Sequence, residues 1–129
     1  MNEIDTKALT ILGASVRQPT DRLEVFEKPA GVLVVLLEAT EFTSLCPVTG
    51  QPDFADIEIE YSPAALCVES KSLKLYLWQY RERGVFCEAL AAQIAADLYA
   101  ALSPERVTVK VLQRSRGGIA ITAEATLPL

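Results

Sequence analysis

Cys46 stands in the run Leu45-Cys46-Pro47-Val48-Thr49-Gly50, among residues that form turns, and Asp53 follows seven positions later. A thiolate is the strong nucleophile among side chains, and a carboxyl nearby can carry a proton to whatever the thiolate attacks. The residues alone leave Cys46 open between that role and a structural one, whereas Cys67, in the apolar run AALCV, reads as a buried structural thiol. A second constellation is Glu69-Ser70-Lys71-Ser72-Leu73-Lys74-Leu75-Tyr76. Lys71 and Lys74, three apart, share a face near the start of a helix, where phosphates bind well. Arg116, ahead of Gly117-Gly118, could add a third cation. The plainer reading of the two lysines is a solvated helix face.

Chemistry that needs histidine is excluded, because the 129 residues contain none. That removes serine–histidine and cysteine–histidine triads and the histidine-bearing zinc sites. The cysteines at 46, 67 and 87 form no CxxC pair, so neither a disulfide scaffold nor a zinc ribbon is expected. Half the residues are apolar and 22% are charged, the balance of one globular domain. The net charge of −5 disfavours nucleic acid as a partner. The charge is uneven: residues 1–65 carry 4 Lys/Arg against 11 Asp/Glu, and residues 66–129 carry 8 against 6. An anionic ligand therefore fits the second half better. No secretory signal and no run near the ~18 apolar residues of a membrane span is visible, so a cytoplasmic address is expected.

The elements that must position these residues can be read from periodicity. Residues 1–20 read as a lead-in ending at Pro19, and residues 21–129 as a single domain. GVLVVLLEA (31–39) is a strand-length apolar run, and residues 42–54 read as a long loop carrying Cys46 and Asp53. ADIEIEYSP (55–63) alternates as a half-buried strand does. Residues 71–82 read as a helix with Ser70 as N-cap, with Leu73, Leu77 and Tyr80 on one face. In 86–102, Phe86, Leu90, Ile94, Leu98 and Leu102 recur every fourth residue as one buried stripe. ERVTVKVLQ (105–113) and IAITAEATL (119–127) are strands either side of the Arg116-Gly117-Gly118 bend. The order β-β-α-α-β-β predicts an α+β domain, an antiparallel sheet with helices on one face. The free face and edges of so apolar a sheet suggest self-association.

The string ESKSLKLY (69–76) resembles the signature of the NADPH-dependent 7-cyano-7-deazaguanine reductases, the nitrile reductases of queuosine biosynthesis. EFTSLCPVTGQPDFADI resembles the catalytic loop of that family, and the spacing between the two and the closing RGGI agree, so the resemblance covers roughly residues 22–123. It implies a tunnelling fold, with chains closing into an oligomeric barrel, suggested as two stacked rings of five, and active sites between subunits. It implies that Cys46 adds to the nitrile carbon of 7-cyano-7-deazaguanine to give a thioimidate, and that Asp53 is the proton donor. Two NADPH molecules would then deliver two hydrides in turn, with no metal required.

The resemblance further places the cofactor phosphates on Lys71, Ser72, Lys74 and Arg116. It places the deazaguanine in a pocket of Glu69, Ser70, Phe86, Cys87 and Glu88, where carboxylates suit the guanine-like donor edge. One departure is local: the family reads Phe-His-Glu where this chain has Phe86-Cys87-Glu88. Cysteine is smaller and a weaker hydrogen-bond partner, which alters substrate positioning or proton handling. Cys46 and Cys87, both expected at the pocket, then become candidates for a reversible disulfide. Two other readings remain. One is a relative that uses the same thioimidate to transfer ammonia onto tRNA, disfavoured by the intact ESKSLKLY and the acidic charge. The other is a purine-binding module weakened by the histidine-to-cysteine exchange.

Overall fold

The computed structural model describes residues 20–129, so the expected lead-in, Thr20 apart, lies outside the described residues. Four long strands, β2 (Val35–Leu45), β3 (Pro52–Ser62), β5 (Arg106–Arg116) and β6 (Ile119–Leu127), form an antiparallel sheet in the order β2-β3-β5-β6. Two three-residue strands that periodicity did not reveal, β1 (Val25–Glu27) and β4 (Leu66–Val68), pair beside it with Phe26 opposite Cys67. The helices α1 (Ser70–Trp78) and α2 (Cys87–Leu102) cover one face. The α+β architecture expected from the element order is the one found.

The core forms where alternation in the strands meets the four-residue spacing of α2. Ile57, Ile59 and Tyr61 of β3 and Val107, Val109 and Val111 of β5 point under Leu90, Ile94, Leu98 and Leu102, and all of these are buried. Burying each such side chain contributes roughly 1.5–3 kcal/mol. Phe86 does not join that stripe as expected. It is the residue before the first turn of α2, in extended conformation, and is 58% exposed. The opposite face of the sheet is charged: Glu38, Glu58, Lys110 and Glu124 lie side by side across the four strands.

Residues 42–54 are mostly not a loop, contrary to the sequence reading. Phe42, Thr43, Ser44 and Leu45 continue β2 and pair with Ala55, Phe54, Asp53 and Pro52. Aromatic and β-branched residues favour the extended chain, and Pro52 is tolerated as the first residue of β3. Only Cys46–Gln51 remain as a turn. At its other end β2 starts late, at Val35, because Ala30-Gly31 turn, with Gly31 at φ 91°.

Two irregularities in the sheet decide which side chains meet. In β2 the register shifts between Ala39 and Phe42, so the inward positions change from 35, 37 and 39 to 42, 44 and 46. In β5 it shifts between Gln113 and Arg116, with Arg116 opposite Ile119. A one-residue bulge sends every later side chain to the other face. Cys46 and Arg116 thereby come to the face on which Asp53 already lies.

The start of α1 also differs from expectation. Glu69, not Ser70, is the N-cap: its two carboxylate oxygens accept from the amides of Lys71 and Ser72, each at 2.7 Å. A carboxylate there also suits the positive end of the helix dipole. The Ser72 hydroxyl accepts from the Glu24 amide at 3.0 Å and donates to the Glu69 carbonyl at 2.8 Å. The helical reading of 71–82 ends as a 3-10 turn, Gln79–Glu82, after which the Tyr76 and Tyr80 hydroxyls meet and Tyr76 donates to Asp97 on α2.

Candidate functional site

Cys46 is the first residue beyond β2, and its turn is closed by its own backbone. The Cys46 amide donates to the Gln51 carbonyl at 2.8 Å, and the Gly50 amide to the Cys46 carbonyl at 2.9 Å. Gly50 sits at φ 74°, a conformation open to glycine at little strain. The turn is also fastened to the segment between the 3-10 turn and α2. The Leu45 amide donates to the Arg83 carbonyl at 2.9 Å and the Val85 amide to the Leu45 carbonyl at 3.1 Å. Between these bonds Gly84 lies so near the turn that a Cβ on it would stand 2.9 Å from Pro47 Cα.

Cys46 is 5% exposed and lies outside the main core cluster, and burial opposes its ionisation only weakly. The Thr49 hydroxyl lowers its pKa most, followed by the backbone amides of Thr49 and Val48, with a smaller contribution from Arg116. Together they bring it from the ordinary 9.0 to about 7. The sign favours reaction near neutrality: thiolate accumulates above pH about 7, and nucleophilicity rises through that point. Thr49→Val is expected to raise the midpoint of Cys46 alkylation and slow it several-fold at pH about 7. An unmoved pH–rate midpoint would show that the backbone amides suffice.

Asp53 is cross-strand partner of Ser44 and 5% exposed. Arg116 Nη1 lies 3.0 Å from its Oδ1. Cys87, on the first turn of α2, is buried with its thiol directed at the carbonyls of Val111, at 3.6 Å, and Ile121, at 3.8 Å. Burial, then the charge of Glu88, pushes the Cys87 thiol up, so it remains a protonated donor. Asp53 is near enough to Cys87 to add to that effect. Cys46, Asp53, Arg116 and Cys87 are thus brought together, and Phe86 and Glu88 stand exposed beside Cys87 at the start of α2. All three cysteines are free thiols.

The residues of ESKSLKLY are not all presented alike. Ser70 and Lys74 line a groove of about 490 Å³ between β2 and α1, together with Trp78 and Arg81. Lys71 is half-buried on the same first turn. Ser72 is fully buried with its hydroxyl engaged on both sides, and Glu69 is buried as the helix cap. No residue of β5 or β6 lines this groove, so in the single chain Arg116 stands apart from Lys74. Thr49 and Gly84 were not singled out by the sequence. A threonine three residues after a turn cysteine is a weak signal, and the close approach of Gly84 has none.

Among the described residues no group of three or more Cys, Asp or Glu could hold a metal ion. None of the described helices is long and apolar enough to cross a membrane. Comparison with known proteins matches residues 52–127 to the family described as QueF-like protein. The NADPH-dependent 7-cyano-7-deazaguanine reductase of Syntrophus aciditrophicus is 49% identical over 123 residues, spanning 94% of this chain and 87% of that protein. The enzyme of the same name from Halorhodospira halophila is 49% identical over 110 residues, spanning 84% of this chain and 93% of that protein. Among solved structures, the apo form of an archaeosine synthase described as QueF-Like superposes with a TM-score of 0.70. It is 25% identical, and the match covers 74% of this chain and 94% of that one.

Proposed function

The chain belongs to the QueF-like family of NADPH-dependent 7-cyano-7-deazaguanine reductases, and on that premise we propose that it reduces the nitrile of this purine through a thioimidate on Cys46. The observation that carries the reading is a thiol with a pKa of about 7, on the same hairpin as a buried carboxyl. Cys46 sulfur attacks the nitrile carbon, and one C–N π pair moves to nitrogen. The proton leaving the thiol passes to Asp53 and from there to that nitrogen, so the bonds and charges balance. NADPH, bound twice in succession, supplies the two hydrides that bring the carbon to the aminomethyl level. Glu88, exposed at the start of α2, offers a carboxylate to the ring N1–H and amino group, and Phe86 offers a flat apolar surface. Cys87 keeps its proton, directed at the Val111 and Ile121 carbonyls, at the position where the family resemblance implies a histidine.

The groove beside α1, though Glu38 and Glu41 also line it, offers the phosphates of a dinucleotide Lys74 and Arg81, with the indole of Trp78 between strand and helix. Ser72 and Glu69 act there by fixing the start of α1, and Lys71 and Ser70 ride on that start. Lys74→Ala is expected to raise the NADPH KM about tenfold with little change in kcat, through one lost charge-assisted contact. Equal KM values for the two proteins would remove Lys74 from the cofactor site.

The sheet ends in β2 on one side and β6 on the other, and these edges favour an assembly of copies with sites at their junctions. A soluble cytoplasmic oligomer of single-domain chains fits residues 21–129. The likeness to an archaeosine synthase raises a second reading, a thioimidate formed without reduction. The intact ESKSLKLY and the net charge of −5 favour reduction. Mixing protein with 7-cyano-7-deazaguanine should give a thioimidate absorbance band, and NADPH added next should be consumed. A band without NADPH loss would move the chain to the second reading. The absence of both would leave a purine-binding module.

A further inference from the structure

Among the described residues six polar or charged ones are buried: Glu24, Ser44, Asp53, Glu69, Ser72 and Gln113. Glu24 meets Arg22, Asp53 meets Arg116, Glu69 caps α1 and the Ser72 hydroxyl is bonded on both sides. The side chains of Ser44 and Gln113 make no hydrogen bond within the described residues, although Gln113 is 8% exposed. Yet no buried side-chain nitrogen or oxygen there is left without a partner, so the polar atoms of these two must reach open space. An enclosed amide left unbonded is costly, which makes a carboxamide held this way a ready partner for a ligand. Both residues flank Asp53. Ser44 is its partner across the β2–β3 ladder, and Gln113 stands opposite Ala55, two residues further along β3 on the same face.

Gln113 is the last regular position of β5 before its bulge, and its partner on β6 is Ile121. The Cys87 thiol is directed at the Ile121 carbonyl at 3.8 Å and the Val111 carbonyl at 3.6 Å, so the first turn of α2, with Glu88 next in line, lies over this same rung. The Gln113 amide therefore opens between the Asp53 hairpin and the start of α2. We propose that Gln113 binds the substrate purine, its side-chain amide taking the N3 and N9–H edge of the deazaguanine. A carboxylate offers acceptors alone and suits the N1–H and amino edge, where both groups donate; that edge falls to Glu88. A carboxamide sets one donor beside one acceptor. The N3 and N9–H edge needs that pair, with an acceptor and a donor side by side. The N9–H exists only in the free base, so Gln113 selects the base against its N9-substituted forms, nucleosides among them. The inference rests on the reductase reading for the identity of the purine.

The test is calorimetric binding of 7-deazaguanine and of 9-methyl-7-deazaguanine, which carry no nitrile and so report recognition without chemistry. The unaltered protein should bind the free base at least about tenfold tighter than the 9-methyl form. Q113L keeps the bulk but neither donor nor acceptor, and should weaken binding of the free base about tenfold. Q113A also makes room for the methyl group, and its preference between the two ligands should fall to about twofold. A merely structural glutamine would lower the melting temperature and leave affinity and preference as they were, and that result overturns the proposal. So does a Q113A protein that still rejects the 9-methyl form, since another group would then hold that edge, and so does an unaltered protein that does not bind 7-deazaguanine. Should Q113L fail to fold, Q113A decides by the same preference. NADPH consumption with 7-cyano-7-deazaguanine is followed separately: its absence in the unaltered protein sinks the reductase reading and leaves the binding result standing.

Discussion

Cys46→Ala is expected to remove the covalent adduct with 7-cyano-7-deazaguanine and NADPH consumption together, to background. The argument is chemical before it is structural. The nitrile carbon needs a soft nucleophile, and Cys46 has its pKa lowered to about 7. Cys87 is pushed the other way and is directed at backbone carbonyls. Cys67 is buried in β4, opposite Phe26. Neither can replace it. The fold should survive, because the turn is closed by backbone bonds that alanine retains. Intact-protein mass spectrometry after incubation with the nitrile is the direct measurement. An adduct of full yield on the Cys46→Ala protein would show that the nucleophile has been assigned to the wrong residue.

Gly84→Ala is expected to come next, lowering kcat tenfold to a hundredfold while the NADPH KM stays near its original value. Gly84 does not have a positive φ, so alanine brings little backbone strain of its own. The effect comes from contact. The new Cβ would lie 2.9 Å from Pro47 Cα and 3.3 Å from Pro47 Cβ, neither of which is the flexible end of a side chain. Pro47 adjoins the nucleophile, and the same stretch is bonded on both sides, through Leu45 to Arg83 and Val85. The strain must therefore move the turn. A displacement near 1 Å at a reacting atom can lower a rate on the order of a hundredfold. Overpacking of this kind destabilises a fold by roughly 1–3 kcal/mol, so a melting curve should fall modestly and stay cooperative. A variant with unchanged kcat would show that the turn yields without carrying the thiol with it.

The long elements were legible because their side chains face a core on one side only. Ile57, Ile59 and Tyr61 alternate, and Leu90 to Leu102 recur every fourth residue, because each set packs on the other. β1 and β4 were not legible, since three residues cannot display a period. The overestimated loop came from Pro47, Gly50 and Pro52, which punctuate strongly, while the pairing of Ser44 with Asp53 leaves no local trace. Ser70 looked the better cap by residue type, and only the fold shows that Glu69 already holds both amides. Phe86 continued the α2 spacing by one step, but the helix had not yet begun there. That Cys46 and Asp53 flank one turn was visible because they share one hairpin. The pairing of Asp53 with Arg116 was not, because it depends on a bulge in β5, and a bulge is invisible to alternation.

The closed turn at Cys46 also bears on the order in which the site can assemble. Loop closure over a few residues lowers chain entropy far less than closure over half a domain. The turn needs only its own two backbone bonds, and the strongest influences on the thiol, Thr49 and the neighbouring amides, arrive with it. Arg116 and Cys87 reach the cluster only after α2 and the far half of the sheet have docked. As the chain folds, the nucleophile therefore gains most of its reactivity in a local event. The charge that balances Asp53 comes from the end of β5, far along the chain from the turn.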